Sequence, residues 1–287
     1  MVQNSIKVLA KALVRVSAAL GLLLLFGCGG GGGVDDDNNG GVTGETKIIN
    51  GIECVLVKAG TFTIGSDANE TDRFPDEDQH KMTITRDYWV GKYPVTQKQY
   101  QTAMGTNPSH TRYGIGDDYP VNNVSWDEAV EFCNKVGGRL LTEAEWEFAA
   151  RGGNKSKGYT YSGSNTVGDV AWYGDNPGST SHPVGQKKAN ELGIYDMSGN
   201  VWEWCSDWYG RYPPDSVQIK DPVTGKPVYI RNPMTIDPTG PKTGSNRVAR
   251  GGSWFYNAWH CRVALRYFIL SSFRPYDLGL RVAFDAN

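Results

Sequence analysis

From residue 47 the chain alternates apolar and polar positions in short runs punctuated by glycine. Cys54-Val55-Leu56-Val57 and Gly60-Thr61-Phe62-Thr63-Ile64-Gly65 predict two strands either side of a Lys58-Ala59 turn. Lys81 to Val90 predicts a third, alternating at Met82 and Ile84 before it turns aromatic. Three segments carry a hydroxyl followed three residues later by Glu or Gln: Thr96 with Gln99, Ser125 with Glu128, Thr142 with Glu145. Each ends in glycine (Gly105, Gly137-Gly138, Gly152-Gly153), so each predicts a capped helix of two to three turns. Beyond Gly153 the chain is rich in Gly, Ser, Asn and Pro, with short aromatic strands expected at Asn200–Trp204 and Arg247–Phe255. Gly279-Leu280-Arg281-Val282-Ala283-Phe284 predicts a closing strand. Few helices and much ordered loop predict one α+β domain over residues 47–287.

The first 46 residues follow another pattern. Lys7, Lys11 and Arg15 precede an apolar run from Val16 to Phe26, long enough for a signal peptide and too short to span a ~30 Å hydrocarbon core. Leu25-Phe26-Gly27-Cys28 resembles a bacterial lipobox, with Phe26 bulkier than its tightest form. That resemblance implies removal of residues 1–27 and lipidation of Cys28, against the alternative of an ordinary signal and an incidental thiol. Residues 28–46, Gly-, Asp- and Asn-rich, bury nothing and predict a tether. The expectation is a bacterial envelope protein, held in the outer membrane through its lipid and facing the exterior.

Composition narrows the chemistry. Net charge is −2, so there is no basic excess to draw nucleic acid. With 36 Gly and 11% aromatic residues, the chain suits tight turns around an aromatic core rather than a helical bundle. The 5 Cys and 4 His show no zinc spacing, and neither a Gly-x-Ser-x-Gly elbow nor a phosphate-binding loop is present. His80, His110, His182 and His260 are scattered.

Seven ordered blocks go further. They are Gly60–Gly65, Tyr93–Thr96, Pro120–Trp126, Arg139–Glu147, Gly193–Trp204, Arg250–Trp254 and Gly279–Arg281. Together they resemble the formylglycine-generating-enzyme (sulfatase-modifying factor) family, which implies a C-type-lectin fold with twisted antiparallel sheets and long loops. The oxidases of that family use a copper-binding cysteine pair just after the Gly-Gly-Ser block. Here that stretch reads Phe255-Tyr256-Asn257-Ala258-Trp259-His260, without sulfur, and Cys261 aligns with a structural cysteine. The resemblance therefore implies neither copper nor oxidase chemistry. It also places Cys133 and Cys261 at half-disulfide positions whose partners are missing; Cys54 and Cys205 are either free thiols or a pair. Asp196 and Glu203 flank a Ser-Gly-Asn turn, and with the carbonyls of Gly199 and Val201 make an oxygen set suited to structural Ca²⁺. The family's second calcium set maps to Asp169, Val170, Asn176 and Gly178; the alternative is that these carboxylates cap turns and pair with Lys or Arg.

The C-terminus differs from the rest. Residues 251–287 contain no Lys, Glu, Gln or Met, against 38 in the preceding 250. With Trp, these are the residues that pyrimidine-ending codons cannot encode. Phe255, Tyr256, Asn257, His260, Leu265, Tyr267, Phe268, Ile269, Leu270, Ser271, Ser272, Tyr276 and Asp277 occupy this stretch between kept framework residues. It resembles the variable region of proteins diversified by a retroelement, as in variable lipoproteins of this family. That implies a solvent-facing ligand surface on a constant floor of Trp254 and Trp259, with Arg266, Arg274 and Arg281 as struts beneath. A buried core strand is the alternative. The function so implied is a monomeric surface receptor or adhesin, its ligand a protein or glycan on another cell. An oxidase with an unusual site and a structural envelope lipoprotein are the competing readings.

Overall fold

The computed structural model describes residues 44–286, apart from 177 and 223. The leader, Cys28 and the tether up to 43 lie outside the described residues. The strands are β1 (Thr46–Ile49), β2 (Ile52–Val57), β3 (Gly60–Ile64), β4 (His80–Ile84) and β5 (Tyr88–Gly91). After α1 (Gln97–Met104) and α2 (Trp126–Lys135) come β6 (Arg139–Leu140), α3 (Glu143–Ala150) and the single turn α4 (Val167–Val170). Then follow β7 (Trp202–Trp208), β8 (Ser216–Lys220), β9 (Pro227–Arg231), β10 (Asn246–Arg250), β11 (Tyr267–Leu270), β12 (Leu278–Leu280) and β13 (Val282–Asp285).

All three expected helices form, and each carries a complete reciprocal capping box. Gly105 stops α1 in the left-handed conformation at φ 78°. The order β1-β2-β5-β13-β6 makes a five-stranded sheet, and β11-β10-β7-β12 a four-stranded one; β3-β4 and β8-β9 are ribbons. One core cluster centres on Phe132, Trp202, Trp204, Leu265 and Ile269, the other on Trp146, Phe148, Val248 and Val263.

Several boundaries fall elsewhere than the pattern predicts. A further strand precedes the first expected one, because Asn50 and Gly51, at φ 49° and 81°, turn β1 back onto β2 as a hairpin. β2 and β3 follow one another yet belong to different sheets. The Lys81–Val90 strand is two strands: Asp237 binds Thr85 and Asp87 binds Ala59, which fixes a break between them. The closing strand also divides, since Arg281 sits between β12 and β13 where the chain changes sheet. β10 stops at Arg250 because Gly251 and Gly252 take φ 97° and 75°.

Candidate functional site

The Gly251-Gly252 turn carries the chain from β10 into the loops that end the molecule. A side chain at Gly252 would lie 2.8 Å from Cys261 Sγ and from the His260 carbonyl, so the turn needs glycine. Gly251 accepts from Gly199 N–H at 2.7 Å, and Trp254 N–H donates to Asn200 at 3.0 Å. Ser253 Oγ donates to Asp277 Oδ2 at 2.7 Å, and the Asp277 carbonyl takes Trp202 N–H at 2.8 Å. Both C-terminal loops are thus fastened to the start of β7.

Above that fastening lies an aromatic surface. Trp202 stacks on Tyr267 at 4.9 Å and meets Tyr256 edge-on at 5.6 Å. Tyr276 packs between Trp254 and Tyr113, 4.6 Å from the latter, and Phe268 leans on Tyr209 at 4.7 Å. Trp202, Phe255, Tyr256, Tyr267, Phe273 and Tyr276 are among the walls of an open pocket of 480 Å³. Phe255, Phe268, Leu270 and Phe273 are 55%, 49%, 58% and 61% exposed, which leaves a contiguous apolar rim in water. Burial, then a hydrogen bond with Tyr267, raises the Tyr256 hydroxyl above its ordinary range. Burial lowers His260 to about 4, so it is neutral at pH 7. Arg274 is the only charged side chain of this rim among the described residues besides the buried Asp277, and it pairs with Glu128 at 2.8 Å.

The sequence-indicated residues divide. Phe255, Asn257, Phe268, Leu270 and Ser272 are exposed, and Tyr256, His260, Tyr267, Ser271 and Tyr276 are half-buried. Three are buried, although Ile269 and Asp277 still border the pocket from beneath. Leu265 is a core residue, Ile269 faces inward from β11, and Asp277 is buried under Ser253, its carboxyl raised by burial. The Tyr267–Leu270 stretch is a strand rather than a loop, so its residues alternate between faces. Trp254 is buried, whereas Trp259 is half-buried, stacked on His260 at 3.4 Å and leaning on Phe74. Trp202, Tyr113, Tyr209 and Phe273 were missed. Phe273 satisfies the same codon criterion as its neighbours; Tyr113 and Tyr209 lie far off in sequence and carry no local signal.

Beneath the surface four arginines are buried. Arg250 pairs with Glu147 and holds the Val263 carbonyl at 2.7 Å; Arg262 pairs with Glu77 at 2.7 Å. Arg266 grips Glu143 through two 2.7 Å bonds, and Arg281 binds Glu203 at 2.7 Å and the Gly91 carbonyl at 2.8 Å. Arg266 and Arg281 are therefore struts; Arg274, expected as a third, lies on the surface, and Arg250 and Arg262 do that work instead.

The calcium expectation meets an obstacle at Glu203. Its two oxygens are taken by Arg281 and by Trp146 Nε1 at 2.7 Å, so the positive charge it faces is a guanidinium. Asp196 gives one oxygen to Gly185 N–H at 2.7 Å, and its other is buried without a partner; burial raises this carboxyl to about 6. Gly199 and Val201 are buried beside them in the turn. In the second set Asp169 accepts from Ser164 at 3.0 Å and Asn176 Oδ1 from Tyr173 N–H at 2.9 Å; Val170 is buried and Gly178 has φ 68°. These side chains close turns. Among the described residues no group of three or more His, Cys, Asp or Glu side chains is placed to hold a metal. At the first set, then, Glu203 has spent its carboxylate on Arg281 and Trp146 and is not free to hold calcium.

Cys54, Cys133, Cys205 and Cys261 are buried free thiols, and burial raises all four, Cys54 and Cys133 to about 12. No bridge joins Cys54 to Cys205. A larger cleft of 790 Å³ is lined by Arg86, Trp126, Arg139 and Asp237 and by none of the residues indicated for ligand or metal. Its Arg139 is already committed to Glu145 and Asp285.

Known proteins place this arrangement. The model of the sulfatase-modifying factor enzyme 1-like domain matches residues 42–286. The formylglycine-generating enzyme of Thermomonospora curvata is 36% identical over 296 residues, covering 80% of this chain and 93% of that one. Chaperone protein LppX of Paenibacillus barcinonensis is 36% identical over 223 residues, 58% of this chain and 75% of its own. Treponema denticola variable protein 1 superposes with a TM-score of 0.68 at 30% identity, covering 84% of this chain and 99% of that one. The expected α+β fold, a C-type-lectin fold of the formylglycine-generating-enzyme type, agrees with these likenesses. With its blocks in order, its three capped helices and a family match over nearly all the described residues, the chain belongs to the sulfatase-modifying factor (formylglycine-generating enzyme) family.

Proposed function

We propose that the protein is a ligand-binding receptor or adhesin, anchored through lipidated Cys28 in a bacterial outer membrane and displayed to the exterior. Its C-terminal region is the diversified binding surface, and its ligand is a macromolecule on another cell. The observation that carries this reading is the aromatic rim: Phe255, Phe268, Leu270 and Phe273 stand in water on a bed of buried aromatics and arginine pairs. Large aromatic side chains offer contact area at low entropy cost, and exposed apolar clusters of this kind mark interaction sites. Likeness to a variable protein supports the reading, and so does the chemistry at the oxidase position. Tyr256 lies there, and the described thiols are buried and protonated, so no accessible thiolate is at hand to bind copper.

Replacing Tyr256, Tyr267, Phe268 and Tyr276 together by Ser tests the reading. Binding to protein and glycan arrays should vanish while the melting temperature falls by only a few degrees; binding that survives would move the site elsewhere. With copper and oxygen the protein should form no formylglycine on a sulfatase peptide, and turnover would restore the oxidase reading. Cys28→Ala should abolish lipid labelling and membrane retention.

A further inference from the structure

β11 is the outermost strand of its sheet. Leu270 lies opposite Asn246, whose carbonyl is turned the other way, to Tyr209 N–H at 2.9 Å. In an antiparallel strand each residue sends N–H and C=O to one side, and successive residues alternate. Leu270 and Phe268 therefore aim their main-chain groups away from β10. The Leu270 carbonyl is used by Phe273 N–H at 3.0 Å; the N–H and C=O of Phe268 have no partner outside the ladder among the described residues.

Such an edge is normally blunted by a lysine, a proline, a bulge or a covering loop, because it templates another strand. β1 carries Lys47, and β12, at the far edge of the same sheet, is covered where Val95 N–H donates to Leu280 at 2.9 Å. β11 reads Tyr-Phe-Ile-Leu, without charge or proline, and it runs along the 480 Å³ aromatic pocket. The open edge and the proposed binding surface coincide.

We infer that β11 is a docking edge for an extended polypeptide, which adds a strand to this sheet and sets alternate side chains against Phe268 and Leu270 and into the aromatic pocket. This rests on the reading of the surface as a ligand site and narrows the ligand to protein. Free N–H and C=O groups at strand spacing match another polypeptide backbone; a glycan presents no such repeat. A second copy of this chain is disfavoured, since edge-to-edge pairing would set pocket against pocket and leave both unfilled. The four residues of β11 span ~13 Å, enough for a segment of three or four ligand residues.

The test uses the full-length protein in detergent, a displayed library of random decapeptides and a glycan array. Enriched peptides should bind at least tenfold more weakly once alternate amides are N-methylated. They should also lose at least tenfold to Phe268→Pro, which removes one outward N–H and leaves the ladder intact. The quadruple Ser variant separates the two readings. Glycan binding, or peptide binding indifferent to N-methylation and to Phe268→Pro, that this variant abolishes would keep the binding surface and overturn strand addition. No enrichment over the quadruple variant would also overturn it, as would a dimer that Phe268→Pro dissolves without any peptide binding. Binding untouched by the quadruple variant would overturn both.

Discussion

Between Arg250 and Arg281 the chain makes two kinds of surface from one stretch. The underside is four buried arginines, each facing a carboxylate far away in sequence: Glu147, Glu77, Glu143 and Glu203. The upper side is Phe255, Phe268, Leu270 and Phe273, between 49% and 61% in water. A buried guanidinium that loses its partner, or a carboxylate that loses its guanidinium, is left as an unpaired charge in a poor solvent. An exposed phenyl ring that is lost leaves water where water already was. Tolerance to change should therefore differ sharply between residues a few positions apart, which is what a diversified surface on a fixed frame requires.

The comparison breaks first at Arg250. Its side chain joins α3 to the loop after the Gly-Gly turn, through Glu147 on one side and the Val263 and Ala264 carbonyls on the other. Arg250→Ala should destabilise by about 3–5 kcal/mol in urea unfolding, a large part of the ~5–15 kcal/mol of an ordinary domain. A loss below about 1 kcal/mol would show that the arginines are not the frame.

Next come two neighbours on one strand. Ile269 packs in the core and Phe268 faces out, so Ile269→Ala should cost about 2–4 kcal/mol. Phe268→Ala should cost less than about 1 kcal/mol by the same measurement. Equal losses would mean that β11 is buried on both faces.

That pair also marks how far the sequence could be read. Local signals were legible: the three capping boxes depend on residues three apart, and all three closed as expected. The stretch that carries the exposed aromatic rim stood out too, through residue types missing from the last 37 positions. The face each residue takes was not, because Tyr267–Leu270 gives no sign of strand alternation when every residue is apolar. The expectation for Ile269 fails to show its inward face for that reason, and for Leu265 and Asp277 the codon criterion carries no information about burial. Sheet changes were illegible for another: Arg281 divides β12 from β13 through partners up to 190 residues distant.

A smaller effect is expected from Asp207, buried under the frame. Burial, and then the Glu143 carboxylate, raises it to about 7, although Glu143 N–H and Ser206 Oγ donate to it at 3.0 Å. Such a group binds its proton more tightly folded than unfolded. Its contribution is complete at low pH and is lost as pH rises from about 4 through about 7. Glu77 and Glu143 act in the opposite sense: their arginines hold them low, so their contribution fades only in acid. Stability should therefore fall between pH 5 and pH 8, and Asp207→Asn should flatten the slope and add about 1–3 kcal/mol at pH 8. A profile unchanged by Asp207→Asn would place the titration elsewhere.

The smallest expected effect is that of a chelator, and it sharpens what Glu203 does. A calcium ion needs oxygens with their lone pairs free, usually six to eight of them. Glu203 has given its own to Arg281 and Trp146, and a dication there would face a guanidinium at close range. Asp196 keeps one free oxygen, but alone it is a poor site for a hard cation, and its burial favours a proton. EDTA should thus leave the melting temperature within about 1 °C, and added Ca²⁺ should not raise it. By contrast, Arg281→Met should lower it by several degrees, because Glu203 would then be buried and uncompensated. A fall on chelation that Ca²⁺ reverses would put the ion at Asp196 and Glu203, and would make Arg281 its neighbour rather than its substitute.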